Sequence, residues 1–168
     1  MLLIEAQQAK IEKIKQNISN DILVCCALLG SSDDKEVYFS INETASSVVL
    51  EESTNNASKL RTRMLDSIIE DLHFSSPDFI KLDVQGYEIE VLKGATLVLK
   101  FSEFVLIEMT LMPLNHEPFI LEIMNYMDSN GFQLYDISSL MRKPYDKALY
   151  QIDGLFVKKD SKFINSNW

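Results

Sequence analysis

The order of elements along this chain predicts an α/β fold, a doubly wound and mostly parallel sheet whose last two strands form an antiparallel pair. Three observations carry that expectation. Short apolar runs alternate with amphipathic stretches over most of the 168 residues. The run Phe79–Val84 breaks at Asp83 and Gly86 and leads directly into a second apolar pattern, as a strand feeding a helix does. The final two apolar runs, Gln133–Ile137 and Tyr150–Lys158, have no helical pattern between them, so they cannot easily be parallel.

Taken in order, Leu2–Glu5 reads as a short strand ending in a carboxylate. Ile11, Ile14 and Ile18 then recur at helical spacing among Lys10, Glu12, Lys13 and Lys15. Ile22–Leu29 reads as a buried strand stopped by Gly30, with Ser31–Asp34 as the turn after it. Val37–Ile41 alternates as a further strand. Residues 42–57 are rich in Ser, Thr, Asn and Glu and predict a flexible loop. Arg61–Leu65 is expected as a short edge strand before a helix over Ser67–Leu72.

The stretch FIKLDVQGYEIEVLKG, from Phe79 to Gly94, is the most informative. Phe79, Ile80, Leu82 and Val84 surround the one charge of Lys81 before Asp83, a pattern suited to a strand covered on both faces. Gly86 permits a sharp turn into a helix carrying Ile89, Val91 and Leu92. Phe104–Met109 is the next buried strand. Pro118 opens a helix with Ile120, Ile123, Met124 and Met127 on one face, and Asn130 and Gly131 end it. Met141–Pro144 falls in the loop between the final strands.

Composition bounds the function. A hydrophobic content of 46% supports one globular domain over residues 1–168. A net charge of −9 argues against a nucleic-acid partner, because phosphate neutralisation needs a basic face. No signal peptide and no run of about 18 apolar residues is present, so no membrane is expected. Cys25 and Cys26 are adjacent in an apolar strand and read as buried small hydrophobes of a reducing compartment, with a cytoplasmic location expected. No His, Cys, Asp or Glu cluster has metal-ligand spacing, so no metal is expected.

Ligands of open α/β sheets bind at the carboxyl ends of the strands, which makes Asp83 the first site candidate. The alternative is that it caps the following helix near Gly86. Glu88, in the first turn of that helix, is a second candidate, although the helix dipole alone accounts for a negative charge there. Glu108 lies near the end of the next strand and could converge on the same cleft. His73 ends a helix, and His116 in the loop after Met112 could serve as a base, but a lone loop histidine is weak support.

The string IKLDVQGYEIEVLKGA resembles the signature of the FkbM-type methyltransferases, with Lys81, Asp83, Gly86, Glu88 and Gly94 in the family's places. Ser46–Ser47, Leu65–Asp66–Ser67, Val105–Glu108, Asn130–Phe132 and Tyr150–Asp153 resemble its further steps. The resemblance implies a Rossmann-like class I methyltransferase sheet that uses S-adenosylmethionine. It implies O-methylation of a small-molecule or glycan acceptor, such as a sugar or another small hydroxylated metabolite.

By the same resemblance, Glu5 matches the carboxylate that receives the ribose hydroxyls, and Ala27 and Leu28 fall where the adenine ring lies. Asp83 falls beside both methyl donor and acceptor, counting toward cofactor binding as well as catalysis; Glu88, by its place in the motif, and Glu108, by its strand end and not by the resemblance, are counted as catalytic companions. Alternatives remain for each: a solvated Glu5 beside a helix start, and plain core packing for Ala27 and Leu28.

The chain departs from the pattern in one respect. Its five glycines include no G-x-G pair, so the family's first strand and Gly-rich cofactor turn are expected to be missing, roughly 30 residues of one βαβ step. The second and fourth strands of the family order are then expected either to pair directly or to leave an exposed edge. A truncated, non-catalytic module is the competing expectation. A dinucleotide-binding protein with Glu5 on an NAD ribose is opposed by the same missing turn and by the antiparallel ending.

Overall fold

The computed structural model describes residues 1–40, 46–49, 57–112 and 119–164. Among these the chain is a mixed α/β structure with three hydrogen-bonded sheets. Strands β1 (Leu2–Glu5) and β2 (Leu23–Cys26) pair in parallel through a crossover that contains helix α1 (Gln8–Lys15). A second sheet, in the order β3-β6-β4-β5, comprises β3 (Leu28–Leu29), β4 (Glu36–Ser40), β5 (Ser47–Val49) and β6 (Ala57–Arg63). The third, in the order β7-β8-β10-β9, comprises β7 (Phe79–Leu82), β8 (Phe104–Thr110), β9 (Phe132–Arg142) and β10 (Leu149–Lys158). Helices α2 (Leu65–Asp71), α3 (Glu88–Lys93), α4 (Thr96–Phe101) and α5 (Ile120–Ser129) complete the order.

Alternation along β8 explains how the core forms and which way the site residues point. Val105, Ile107 and Met109 are wholly buried, whereas Phe104, Leu106, Glu108 and Thr110 are only partly so. Successive strand residues face opposite sides, so the first set meets the helices and the second leaves Glu108 on the opposite face. Ile80 and Leu82 of β7 join the same core, together with Val91 and Leu92 of α3, Val98 and Leu99 of α4 and Ile123 and Met127 of α5. Ile123 and Met127 are four residues apart, one helical turn, and so share a buried face.

Short helices need external partners for their first N–H groups. Asp66, in the first turn of α2, accepts the backbone N–H groups of Leu97 and Val98, each at 2.9 Å, and so caps α4. Asp33 accepts the Met64 N–H at 2.8 Å and the Ser67 hydroxyl at 2.6 Å, tying the turn after β3 to the start of α2. The Ser67 hydrogen bond is the main cause that holds the Asp33 carboxyl below its usual range, followed by the Met64 bond. Gly94 lies against Gly30, and a Cβ on Gly94 would strike the Gly30 carbonyl oxygen.

Several expectations are corrected by this architecture. Among the described residues antiparallel ladders outnumber parallel ones, so the sheets there are not mostly parallel, although the C-terminal antiparallel pair is present. The single strand expected over Ile22–Leu29 is broken at Ala27, whose N–H bonds to the Glu5 carbonyl, and its two halves join different sheets. Ser47–Val49 is a strand within the expected loop, because it finds an antiparallel partner in β4. The expected edge strand is longer and pairs on both sides, with β3 and β4.

Strand β7 is covered on one face only, since Phe79 and Lys81 are exposed. Met141 and Arg142 belong to β9, which extends well past Ile137 as the partner of β10. Cys26 is exposed and Cys25 half-buried, not a buried pair. Burial is the main cause that raises the Cys25 thiol. Strands β1 and β7 do not pair directly. Most of the expected loop over residues 42–57, Pro118 and the His116 segment lie outside the described residues. No described helix is long and apolar enough to cross a membrane.

Candidate functional site

The site is built where β1, β2 and β7 end. A cleft of about 240 Å³ is lined there by Glu5, Ala27, Leu28 and Asp83, which sequence reasoning singled out, and also by Gln7, Lys10, Phe39, Ser46, Gln85 and Tyr87. These residues come from segments far apart in the chain. The cleft combines carboxylates at its polar rim with an apolar surface from Ala27, Leu28, Leu29, Phe39 and Val48.

Glu5 is positioned by the chain's turn into α1. One of its carboxylate oxygens accepts the Gln7 N–H at 2.8 Å, and the Gln7 side-chain amide in turn donates to the Ser46 hydroxyl at 2.9 Å. Asp83 follows β7 directly and does not cap the next helix through its side chain. Its Oδ2 takes the Lys81 ammonium at 3.1 Å, and its Oδ1 takes the Gln85 amide at 3.1 Å.

Glu88 instead braces the turn that precedes that helix. Its carboxylate is buried and accepts the N–H groups of Gly86 at 3.1 Å and Val84 at 3.4 Å. The segment it clamps contains two consecutive residues with positive φ, Gln85 at 52° and Gly86 at 93°. That backbone suits glycine and strains glutamine. Glu88 thus fixes the turn that presents Asp83 and Gln85.

Glu108 lies one position beyond the Leu82–Ile107 pair, beside Asp83, and is itself paired in register with Asp153, which is paired with Ser139. The result is a row of polar side chains that runs from Asp83, just past the end of β7, across β8, β10 and β9. A second cleft of about 150 Å³ is lined by Glu108, Ser139, Met141, Gln151, Ile152 and Asp153.

Like charges on neighbouring strands are destabilising, so such a row is not explained by folding alone. Glu108 shows the cost. Its carboxyl is pushed up to about 7, first by burial and then by the charges of Asp83, Glu88 and Asp153, while Lys81 opposes them. A carboxyl at about 7 is suited to exchange a proton near neutral pH.

Glu5, Ala27, Leu28 and Asp83 therefore converge on one cleft. Glu108 faces the adjoining one, and Glu88 supports the turn between them. Sequence reasoning missed Gln85, whose amide nitrogen reaches Glu108 as well as Asp83 at 3.1 Å. The only local signal was its place between Asp83 and Gly86. Among the described residues no group of three or more His, Cys, Asp or Glu side chains is arranged to hold a metal ion.

The family model described as the methyltransferase FkbM domain matches residues 1–134. The hexuronic acid methyltransferase AglP of Haloferax volcanii is 32% identical over 78 residues, covering 46% of this chain and 33% of AglP. The match thus spans about a third of that relative's length. No solved structure matches the chain.

Proposed function

Because the chain belongs to the FkbM methyltransferase family, we propose that it transfers a methyl group from S-adenosylmethionine to a hydroxyl of a sugar or another small hydroxylated metabolite. The observation that carries this reading is the convergence of Glu5, Ala27, Leu28 and Asp83 on one cleft at the strand ends. We ascribe to it a Rossmann-like class I methyltransferase architecture. The parallel β1–β2 and β7–β8 pairs and the antiparallel C-terminal hairpin support that.

The residues present fit the cofactor. A carboxylate has about four lone-pair positions, so Glu5 can accept ribose hydroxyls while it keeps the Gln7 N–H. Ala27 and Leu28 offer apolar surface to an adenine ring. The bound cofactor would supply a methyl group already activated on a sulfonium.

The chain's own task is then to orient the acceptor oxygen and to take its proton. Asp83 and Glu108 stand at the border of the two clefts for that purpose. Glu108, with its raised carboxyl, is the better matched to accept a proton near neutral pH. The relative's hexuronic acid substrate supports a sugar as acceptor here. A reducing compartment such as the cytoplasm belongs to the same proposal, supported by two free thiols.

The test is calorimetric titration of the folded chain with S-adenosylmethionine, followed by transfer of a labelled methyl group to a panel of neutral glycosides and uronates. Saturable binding with transfer to a sugar hydroxyl is expected. A well-folded chain that binds no S-adenosylmethionine would overturn the reading in favour of a non-catalytic module.

A further inference from the structure

We propose that Gln85 is a positioning residue whose side-chain amide ties Asp83 to Glu108, so that the two carboxylates act as one unit at the border of the two clefts. The proposal rests on the methyl-transfer reading for its functional meaning and on geometry for the bridge itself. The Gln85 amide nitrogen is 3.1 Å from Asp83 Oδ1 and 3.1 Å from Glu108 Oε1. An amide nitrogen carries two hydrogens, one for each acceptor, and a carboxylate pair can be approached only by the donor end of the amide.

The backbone pays for this placement. Gln85 adopts a φ of 52°, a region that a non-glycine residue occupies at a cost, and neighbouring Glu88 is buried to hold the Val84 and Gly86 N–H groups that keep the turn. Strain retained in a turn whose side chain joins two carboxylates points to a constraint beyond chain reversal.

The chemistry of an amide suits the role. A glutamate at this position would add a third negative charge, and a lysine would neutralise the pair outright. A neutral donor holds the two oxygens together without removing the mutual repulsion that keeps a proton available on Glu108. The charged groups around the bridge are Lys81 on β7, Asp83 just after it, Glu88 on α3, Glu108 on β8 and Asp153 on β10. Glu5 and Lys10 face the first cleft from the other side.

The experiment compares the full chain with Gln85→Asn and Gln85→Leu by carboxyl-carbon NMR titration of Glu108 and by the pH profile of methyl transfer. Asparagine tolerates positive φ but is one carbon too short to span both carboxylates, so it separates the bridge from the backbone. In both variants the Glu108 titration is expected to move up by about one pH unit, because a donor to the charged form is lost. The acid limb of kcat/KM should move with it, and kcat should fall roughly ten- to hundredfold while the KM for S-adenosylmethionine holds.

An unchanged Glu108 titration in a folded Gln85→Asn chain would overturn the proposal. A shifted titration in a chain that transfers no methyl group in any form would support the bridge and count against the methyl-transfer reading.

Discussion

The carboxylate of Glu88 accepts the backbone N–H of Gly86 at 3.1 Å from a side chain that is only 1% exposed. A buried carboxyl group two residues from a left-handed glycine is thus the device that sets the turn after β7. The position of Asp83 and Gln85 at the cleft depends on it.

Removing that device should loosen the turn. Glu88→Ala would leave the Gly86 and Val84 N–H groups without their acceptor and is expected to cost about 1–3 kcal/mol. Glu88→Gln, which keeps one acceptor oxygen, should lose less. Urea unfolding of the three chains checks this, and equal midpoints would refute the clamp.

Glu108 should make both activity and stability depend on pH. Its folded-state carboxyl is raised from 4.5 to about 7, so the folded chain holds a proton that the unfolded chain has already released. Its stabilising contribution is therefore fully present below about 4.5 and is lost as pH rises through about 7. Glu108→Gln should melt higher than the parent at pH 8, with the gap closing toward pH 5. Methyl transfer by the parent should rise through about 7, and the residual activity of Glu108→Gln should lack that limb.

Glu5 and Asp83 should separate binding from turnover. Glu5→Ala is expected to weaken S-adenosylmethionine binding by about 1.5–3 kcal/mol, the value of hydrogen bonds to a charged acceptor. Asp83→Asn, nearly the same size, should keep the fold and lower kcat by roughly a hundredfold. Calorimetry and initial rates on the same preparations decide it; unaltered affinity in the first or full turnover in the second would remove the assigned role.

Gly94 should resist substitution. Its Cβ position is occupied by the Gly30 carbonyl oxygen, which is backbone and cannot swing away. Gly94→Ala is expected to destabilise by about 1–3 kcal/mol through overpacking. At Gly131 nothing lies near the added Cβ, so Gly131→Ala should show only the cost of its φ of 83°, and thermal melts of the two variants make the comparison.

Local chemistry explains what was readable in advance. Leu2–Glu5 and the start of β7 at Phe79 follow from short apolar runs, and the end of α5 at Asn130 and Gly131 follows from a C-cap that only nearby residues define. Asp83 and Glu88 were visible because a strand end, a glycine and a helix start sit within six residues of each other.

The roles within that segment were not readable. The Asp83 side chain does not take the expected capping role, and it is Glu88 that holds the turn before α3, since which carboxylate turns inward depends on the burial of α3 against the sheet. Likewise β9 runs on to Arg142 because β10 offers it partners, which its own exposed side chains do not signal.

By itself, then, the sequence determined the β7-to-α3 step, the strand-end position of Asp83 and the family signature around Gly86, because each rests on contacts within a few residues. Tertiary structure alone decided that three sheets form among the described residues, that Glu5, Ala27, Leu28 and Asp83 share a cleft, and that Gln85 bridges Asp83 to a glutamate 23 residues away. Those relations depend on strand pairing and on like charges brought together across neighbouring strands, and neither has a local trace in the order of residues.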